Sequence, residues 1–539
     1  MTRNPLLSLA LLASLASLNV AHAASLVVDS TLDEVDASPG DGICATAAAT
    51  CTLRAAVMES NALPGQDDIF LDRDHYALTI PGSGGDAEGD LDLTDDVKIK
   101  GKGYRFTIID GAPLVSIGQP DRIFEVASGV VARFRGVQLQ QAKVEGATPA
   151  SAVGGLMSVS GTARLRNVAF VDGRGGLGGA LYVASTGEVR GRRVLFMSNQ
   201  AYAGGAIYSE GFTRMNGAHM QFNEADGNAG GAIFTRGELI VRNSMLTENA
   251  STFMGGAIHV ADGDARVVDS TLSDNTATTI GGAIQIMKDT AVIVRRSLLF
   301  ANTAGRGGHI YTNGDLEIEE STLTGGSASL GGGAVYCLPY GFTGPTPSVY
   351  ITDSAIDANY GSASAGLYLS GCEVDVENST ISNNHNSTGH MYDAAGAIVA
   401  TDGAALTLTH VTITDNSLGG LSGGNSSAAG GIVNVGSTVV LANSILSGNA
   451  GAMVDCVGEI TSWGGNVVSR CLMVHTATDQ QVATAMLAPQ VSSVTPGESH
   501  YPLTSGSPAV DAGDPANCLG NDQLGQTRDT ACDAGAIEY

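Results

Sequence analysis

Basic residues are scarce in this chain. Lys and Arg number 27 against 54 Asp and Glu, for a formal charge of −27. Such a chain as a whole repels nucleic acid and anionic membrane, and tolerates a cationic partner or Ca²⁺. Long apolar runs are missing beyond the first twenty residues, which excludes a later transmembrane helix. No Cys-x-x-Cys occurs and the histidines are scattered, which argues against a zinc site. There is no phosphate-binding loop, nucleophile elbow, metalloprotease helix or Ca²⁺-binding nonapeptide. Apolar runs between turn residues are only three to six residues long, the length of strands and too short for helices.

What is present is a repeat. Gly-Gly-Ala-Leu-Tyr182 returns as Gly-Gly-Ala-Ile-Tyr208, Gly-Gly-Ala-Ile-Phe234, Gly-Gly-Ala-Ile-His259, Gly-Gly-Ala-Ile-Gln285, Gly-Gly-His-Ile-Tyr311 and Gly-Gly-Ala-Val-Tyr336, at steps of 25 or 26 residues. A second phrase runs alongside it, as in Asn-Ser-Met-Leu-Thr-Glu-Asn249, Asp-Ser-Thr-Leu-Ser-Asp-Asn275 and Arg-Ser-Leu-Leu-Phe-Ala-Asn302. A fixed period with short strands predicts an all-β fold, a parallel β-helix of roughly 14–15 coils about 4.8 Å apart. The leucine-rich repeat is disfavoured because its paired leucine spacing is absent. Equivalent residues then form columns. Leu246, Leu272, Leu299, Leu323, Ile356 and Ile381 are expected inside, and Asn249, Asn275, Asn302, Asn359 and Asn384 are expected to form an amide ladder. After Ala334 the period stretches, with the surplus expected in loops at 338–348, 385–392 and 418–427.

Residues 1–23 carry one Arg, a Leu/Ala run and Ala21-His22-Ala23, the pattern of a secretory signal peptide. Eight cysteines fall into four local pairs: Cys44/Cys51, Cys337/Cys372, Cys456/Cys471 and Cys518/Cys532. An even count in an exported chain predicts disulfides. A short helix is expected from Leu53, after Thr52 as N-cap, with Leu53, Ala56 and Val57 on one side. It would cap the N-terminal end of the solenoid. The organisation expected is signal peptide 1–23, N-terminal cap 24–65, β-helix 66–470 and a disulfide-bonded C-terminal module 471–539.

Cys51-Thr52-Leu53-Arg54-Ala55-Ala56 resembles the Cys-Ser-Leu-Arg-Glu-Ala signature of CSLREA-type exported bacterial proteins, departing from it at Thr52 and Ala55. Ser507-Pro508-Ala509-Val510-Asp511-Ala512-Gly513, Asp522-Gln523-Leu524-Gly525-Gln526-Thr527-Arg528 and Asp533-Ala534-Gly535-Ala536-Ile537-Glu538 resemble the choice-of-anchor Q domain. The Gly-Gly-Ala-Ile repeat is shared with polymorphic outer-membrane-type passengers. The resemblance implies an exported bacterial right-handed parallel β-helix, secreted or at the cell surface, with no common enzyme activity. This chain ends at Tyr539 without the sorting tail that follows the domain elsewhere.

Three groups are candidates for function. Tyr182, Tyr208, Phe234, Tyr311 and Tyr336 have parity opposite to the neighbouring aliphatic residues. They are expected to face outward, either as a platform for an extended ligand or as a stiffening stack. Asp86, Asp90 and Asp92 lie in the densest acidic stretch, on a glycine-rich loop whose oxygen ligands suit Ca²⁺, although a solvated acidic loop is the better reading. Glu210, Arg236, Asp262 and Lys288 form a column of alternating charge, expected as an exposed ion-pair ladder. No other cofactor and no catalytic residue is predicted. The expectation is a non-catalytic, adhesin-like binder of extracellular polysaccharide or a cell-surface protein. A polysaccharide lyase or glycoside hydrolase is the alternative.

Overall fold

The computed structural model describes residues 23–82, 85–341, 346–387, 394–419, 428–450, 454–471 and 475–539. The expected signal peptide, apart from Ala23, lies outside these residues, as do parts of the three expected loops. The chain is all-β with parallel strands and two short helices among the described residues. One coil shows the plan: Leu181–Val183 lies in sheet 1, Glu188–Arg192 in sheet 2, Leu195–Met197 in sheet 3 and Gln200–Ala203 in sheet 4. The next strand, Ile207–Ser209, returns to sheet 1 and pairs in parallel with the strand one coil earlier. Repetition gives sheets of 14, 16, 16 and 10 strands. This arrangement is compatible with a parallel β-helix and with the expected number of coils.

The repeated glycine pair has two separate causes. The first glycine of each pair, from Gly178 to Gly307, sits at φ between 61° and 72°. That left-handed turn leads from sheet 4 to sheet 1, and glycine adopts it without strain. The second meets the next coil. A Cβ on Gly205, Gly231, Gly256 or Gly282 would lie 2.1 Å from a glycine carbonyl oxygen one coil on. A side chain there would push the coils apart.

The inner column is dry. Leu246, Leu272, Leu299, Leu323, Ile356 and Ile381 pair in register and are all 0% exposed. Serines two residues before them are buried with them. Ser270 Oγ accepts from Ser244 N at 3.1 Å, and Ser297 Oγ accepts from Ser270 N at 3.1 Å. The amide ladder is also present and longer than expected. Asn199, Asn223, Asn249 and Asn275 each donate Nδ2–H to the next Oδ1, ending at Asn302, at 2.9 Å. Asn359, Asn384, Asn416 and Asn449 continue it at 2.8–2.9 Å.

Between the two runs the ladder position is Gly326. The gap is bridged by His309, which stands where other coils have Ala283 or Ala334. Asn302 Nδ2 donates to His309 Nδ1 at 3.0 Å, and His309 Nε2 reaches Asn359 Oδ1 at 3.1 Å. Two departures from the repeat in one coil therefore compensate one another. The ring must be neutral to accept at Nδ1 and donate at Nε2. Complete burial agrees, holding its pKa down to about 3.

At the N-terminal end, Ser25–Val27 joins sheet 2 beside Asp67–Phe70. Helix Leu53–Ala62 follows Thr52, whose hydroxyl accepts from Ala55 N at 3.1 Å. The helix buries Leu53, Ala56 and Val57 in the main core. Arg54 is 1% exposed. Its guanidinium pairs with Asp33 at 2.7 Å and donates to the carbonyls of Asp86 and Gly89 at 2.9 and 2.8 Å.

The C-terminal residues add a last strand, Gln480–Gln481, to sheet 3 and then double back along the outer side of that sheet. Asp514 N donates to Asn443 Oδ1 at 2.6 Å and Ala536 N to Thr412 Oγ1 at 3.0 Å. Further back, Thr380 Oγ1 donates to Gln523 Oε1 at 2.6 Å and Gly497 N to Thr322 Oγ1 at 2.8 Å. This strap spans five coils and buries Thr322, Thr380 and Thr412, which point away from the core. All four expected cysteine pairs are disulfides and no free cysteine remains. Four disulfides fit a compartment outside the cytosol. Among the described residues no helix is long and apolar enough to cross a membrane.

Candidate functional site

The aromatic candidates come together as two stacks. Tyr182, Tyr208, Phe234 and His259 follow one another at ring-centroid distances of 5.9, 4.7 and 4.7 Å. Tyr311, Tyr336 and Tyr368 form the second, at 5.4 and 4.5 Å. Gln285 separates the two. The rings lie outside the main core, as their parity requires, but they are covered. Tyr208 and Phe234 are 5% and 4% exposed, packed on Ala203, Ala229 and Met254. Sheet 4 and the turn after it, which the repeat pattern did not reveal, lay these small residues over the column. Ring faces are spent on one another and the edges on this cover. Solvent reaches mainly the ends, where Tyr182 and Tyr368 are half-buried. Tyr182 Oη donates to Glu210 at 3.1 Å, and burial pushes its pKa up to about 12.

The alternating charges do not form an ion-pair ladder. Among the described residues no ion pair within 4.0 Å joins Glu210, Arg236, Asp262 and Lys288. Glu210 is taken by Tyr182, Arg236 lies 6.0 Å from the Phe234 ring centroid and Lys288 lies 5.6 Å from that of Tyr340. Three of the four charges lean onto an aromatic ring or its hydroxyl, and Asp262 accepts from Gly263 N at 2.8 Å.

The acidic stretch forms a cluster of different membership. Asp90, Asp92 and Glu125 bring carboxylate oxygens within 4.8 Å of one another. Glu125 comes from the next coil, opposite Asp92 in the register, so sequence proximity could not find it. Asp86 is outside this trio, its carboxylate accepting from Asn61 Nδ2 at 2.6 Å. Hard oxygen donors suit Ca²⁺. However, the Arg122 guanidinium already lies 3.6 Å from Asp90 Oδ2 and bonds Glu125, supplying the positive charge a cation would bring. Burial, then the neighbouring Asp121 carboxylate, pushes Asp90 up to about 7.

The outer face of sheet 2 carries a feature absent from the sequence reading. Register aligns Lys98, Arg133, Arg164, Arg190 and Arg214 in one column. Lys100, Arg135, Arg166 and Arg192 align in a second, two residues along each strand. The Arg-x-Arg pairs at 133/135, 164/166 and 190/192 were its signal. Further along the same sheet the outward residues are acidic: Asp315, Glu317 and Glu319, then Glu373, Asp375 and Glu377. No protein-family model matches the chain, and no curated protein matches it.

Proposed function

We propose that this chain is an exported, non-catalytic right-handed parallel β-helix that binds an extended polysaccharide or surface partner, as adhesins do. The observation that carries the reading is the outer face of sheet 2. Its side chains stand in straight columns repeated once per coil, exposed or half-exposed from Lys98 to Thr409 apart from the buried Val268. Sheet 3 is overlaid by the C-terminal strap over five coils, and the aromatic column is covered by Ala203, Ala229 and Met254, so sheet 2 has the longer open face. A straight array of repeated groups suits a ligand that is itself linear and periodic. Four disulfides and the resemblance to CSLREA-type and choice-of-anchor Q proteins support export. In this reading helix Leu53–Ala62 caps the solenoid, and the aromatic stacks stiffen it.

The test is a glycan array and cell-binding assay on purified mature protein, run beside a polysaccharide-degradation screen. Binding without degradation is the expected result; absence of binding to any glycan or cell overturns it. One observation favours the second reading, a glycoside hydrolase. Asp90, held near neutrality beside ionisable Asp92 and Glu125, has the pKa of a general acid. Degradation that disappears in Asp90→Asn would establish that reading in place of the first.

A further inference from the structure

We propose that the basic half of sheet 2 is a binding site for a linear acidic polysaccharide of the polyuronate kind, with one carboxylate per sugar. The inference rests on the reading of the chain as an extracellular binder and names its ligand class.

The four strands Val131–Arg135, Thr162–Arg166, Glu188–Arg192 and Phe212–Asn216 carry seven arginines and a single carboxylate, Glu188. Glu188 pairs with Arg190. Among the described residues, no other arginine of the seven has an ion pair within 4.0 Å. Arg135, Arg164, Arg166, Arg190 and Arg192 are exposed, and Arg133 and Arg214 half-buried. Arg133 Nη1 is buried with no hydrogen-bond partner. Like charges directly opposite on neighbouring strands oppose each other. In a chain with twice as many acidic as basic residues, six of these seven arginines are nevertheless left without an ion-pair partner among the described residues. The missing counter-charge must come from outside.

Geometry narrows what supplies it. The columns run parallel to the stack axis, with guanidinium groups about 4.8 Å apart along each column and the two columns about 7 Å apart. One coil's rise is close to the length of one extended sugar unit. A polyuronate laid along the stripe therefore meets about one arginine pair per carboxylate. The guanidinium fork matches a carboxylate by two parallel hydrogen bonds. Phe212, half-buried beside the first column at the register position of Glu188, with Arg190 5.5 Å from its ring centroid, offers an apolar patch for a sugar face. A wide polyanion such as duplex nucleic acid would spread beyond the two columns.

The experiment measures binding of full mature protein to fluorescent polygalacturonate, with dextran, heparin and duplex DNA as parallel probes. Expected is polygalacturonate binding that weakens at least ~10-fold from about 50 to about 200 mM salt, and none to dextran. Arg164→Gln/Arg166→Gln/Arg190→Gln/Arg192→Gln should weaken it at least ~30-fold, four charge-assisted contacts being lost. Glu373→Gln/Asp375→Asn/Glu377→Gln should leave it unchanged. If the quadruple variant melts early by circular dichroism, Arg166→Gln/Arg192→Gln, exposed pairs of one column, replaces it with at least ~5-fold weakening expected. Polygalacturonate binding indifferent to both arginine variants overturns the site. Preference for heparin or DNA over polygalacturonate overturns the ligand class. Self-association abolished by either the basic or the acidic variant makes a second copy the occupant and overturns the proposal. Binding to cells or neutral glycans without any to polyanions overturns this inference while leaving the broader binding function standing.

Discussion

His309 gives the sharpest test of how this fold is held together. Replacing it with Ala removes a fully buried ring and both side-chain bridges to Asn302 and Asn359. Neither amide is orphaned. Asn302 Nδ2 still donates to Leu272 O at 2.9 Å, and Asn359 Oδ1 still accepts from Gly326 N at 2.8 Å. Two net hydrogen bonds at about 1 kcal/mol each, plus an incompletely collapsed cavity, put the loss at about 3 kcal/mol near pH 7. The ring also makes that loss depend on pH. Burial lowers its folded pKa to about 3, against the ordinary 6.5. Between those values the unfolded chain binds a proton that the folded chain does not, so the wild type loses stability as pH falls from 6.5 toward 3. At pH 4.5 the penalty is about 3 kcal/mol, and His309→Ala does not incur it. Guanidinium melts followed by circular dichroism should therefore show the variant about 3 kcal/mol less stable at pH 7, with the two proteins converging near pH 4.5. A difference of the same size at both pH values would refute the neutral-ring bridge. Gly326→Asn alone should also destabilise, because a Cβ there lies 2.3 Å from Gly333 O and 2.6 Å from His309 Cδ2. The double variant His309→Ala/Gly326→Asn relieves only the second contact and should remain less stable than the wild type.

Three further perturbations probe the rest of the stack. Leu272→Asp places a carboxylate in a 0% exposed column and should cost several kcal/mol in a denaturant melt, whereas Ser273→Asp, on the outer side, should cost under about 0.5 kcal/mol. Mass spectrometry of unreduced peptides should recover Cys44–Cys51, Cys337–Cys372, Cys456–Cys471 and Cys518–Cys532. Replacing Cys337 and Cys372, which close a 35-residue separation, should lower stability by about 4 kcal/mol on the chain-entropy model. Arg54→Met leaves the Asp33 carboxylate without its ion-pair partner, held only by Thr79 N and Ile80 N, and removes the donor to three carbonyls; it should destabilise by about 3 kcal/mol, seen as early exchange of helix amides, and an Asp33→Asn/Arg54→Met pair should be milder.

What could be read from the sequence was whatever repeats. Leucines, asparagines and glycine pairs each recur six times or more, and a column is legible because every coil votes on it. Parity placed Leu272 inside, and spacing found the disulfides. Features lost to the reading are those that repeat weakly or not at all. Sheet 4 is built of two- to five-residue strands rich in Ala, Thr and Gly, with little apolar contrast to mark them. Missing that sheet left the aromatic column looking open, although Ala203, Ala229 and Met254 cover it. Glu125 joins Asp90 and Asp92 only through register across a gap of more than thirty residues. The C-terminal strap has a single copy, so no period announces its bonds to Thr322, Thr380 and Thr412.

The same reasoning explains why net charge misled about the surface. A total of −27 sums over every face, whereas a ligand meets one face at a time. In a globular domain, the two quantities often agree because neighbouring positions come from unrelated parts of the chain. In a stacked repeat they need not agree, because one residue type kept at one repeat position becomes an unbroken stripe. Three Arg-x-Arg pairs, chemically invisible among 54 carboxylates, are carried by register alone into adjacent rungs on sheet 2. The same principle operates inside the molecule, where Gly326 and His309, each a single departure from the repeat, are meaningful only as partners. For this architecture charge and polarity are properties of columns, and function is to be sought in the columns whose charges the protein leaves unneutralised.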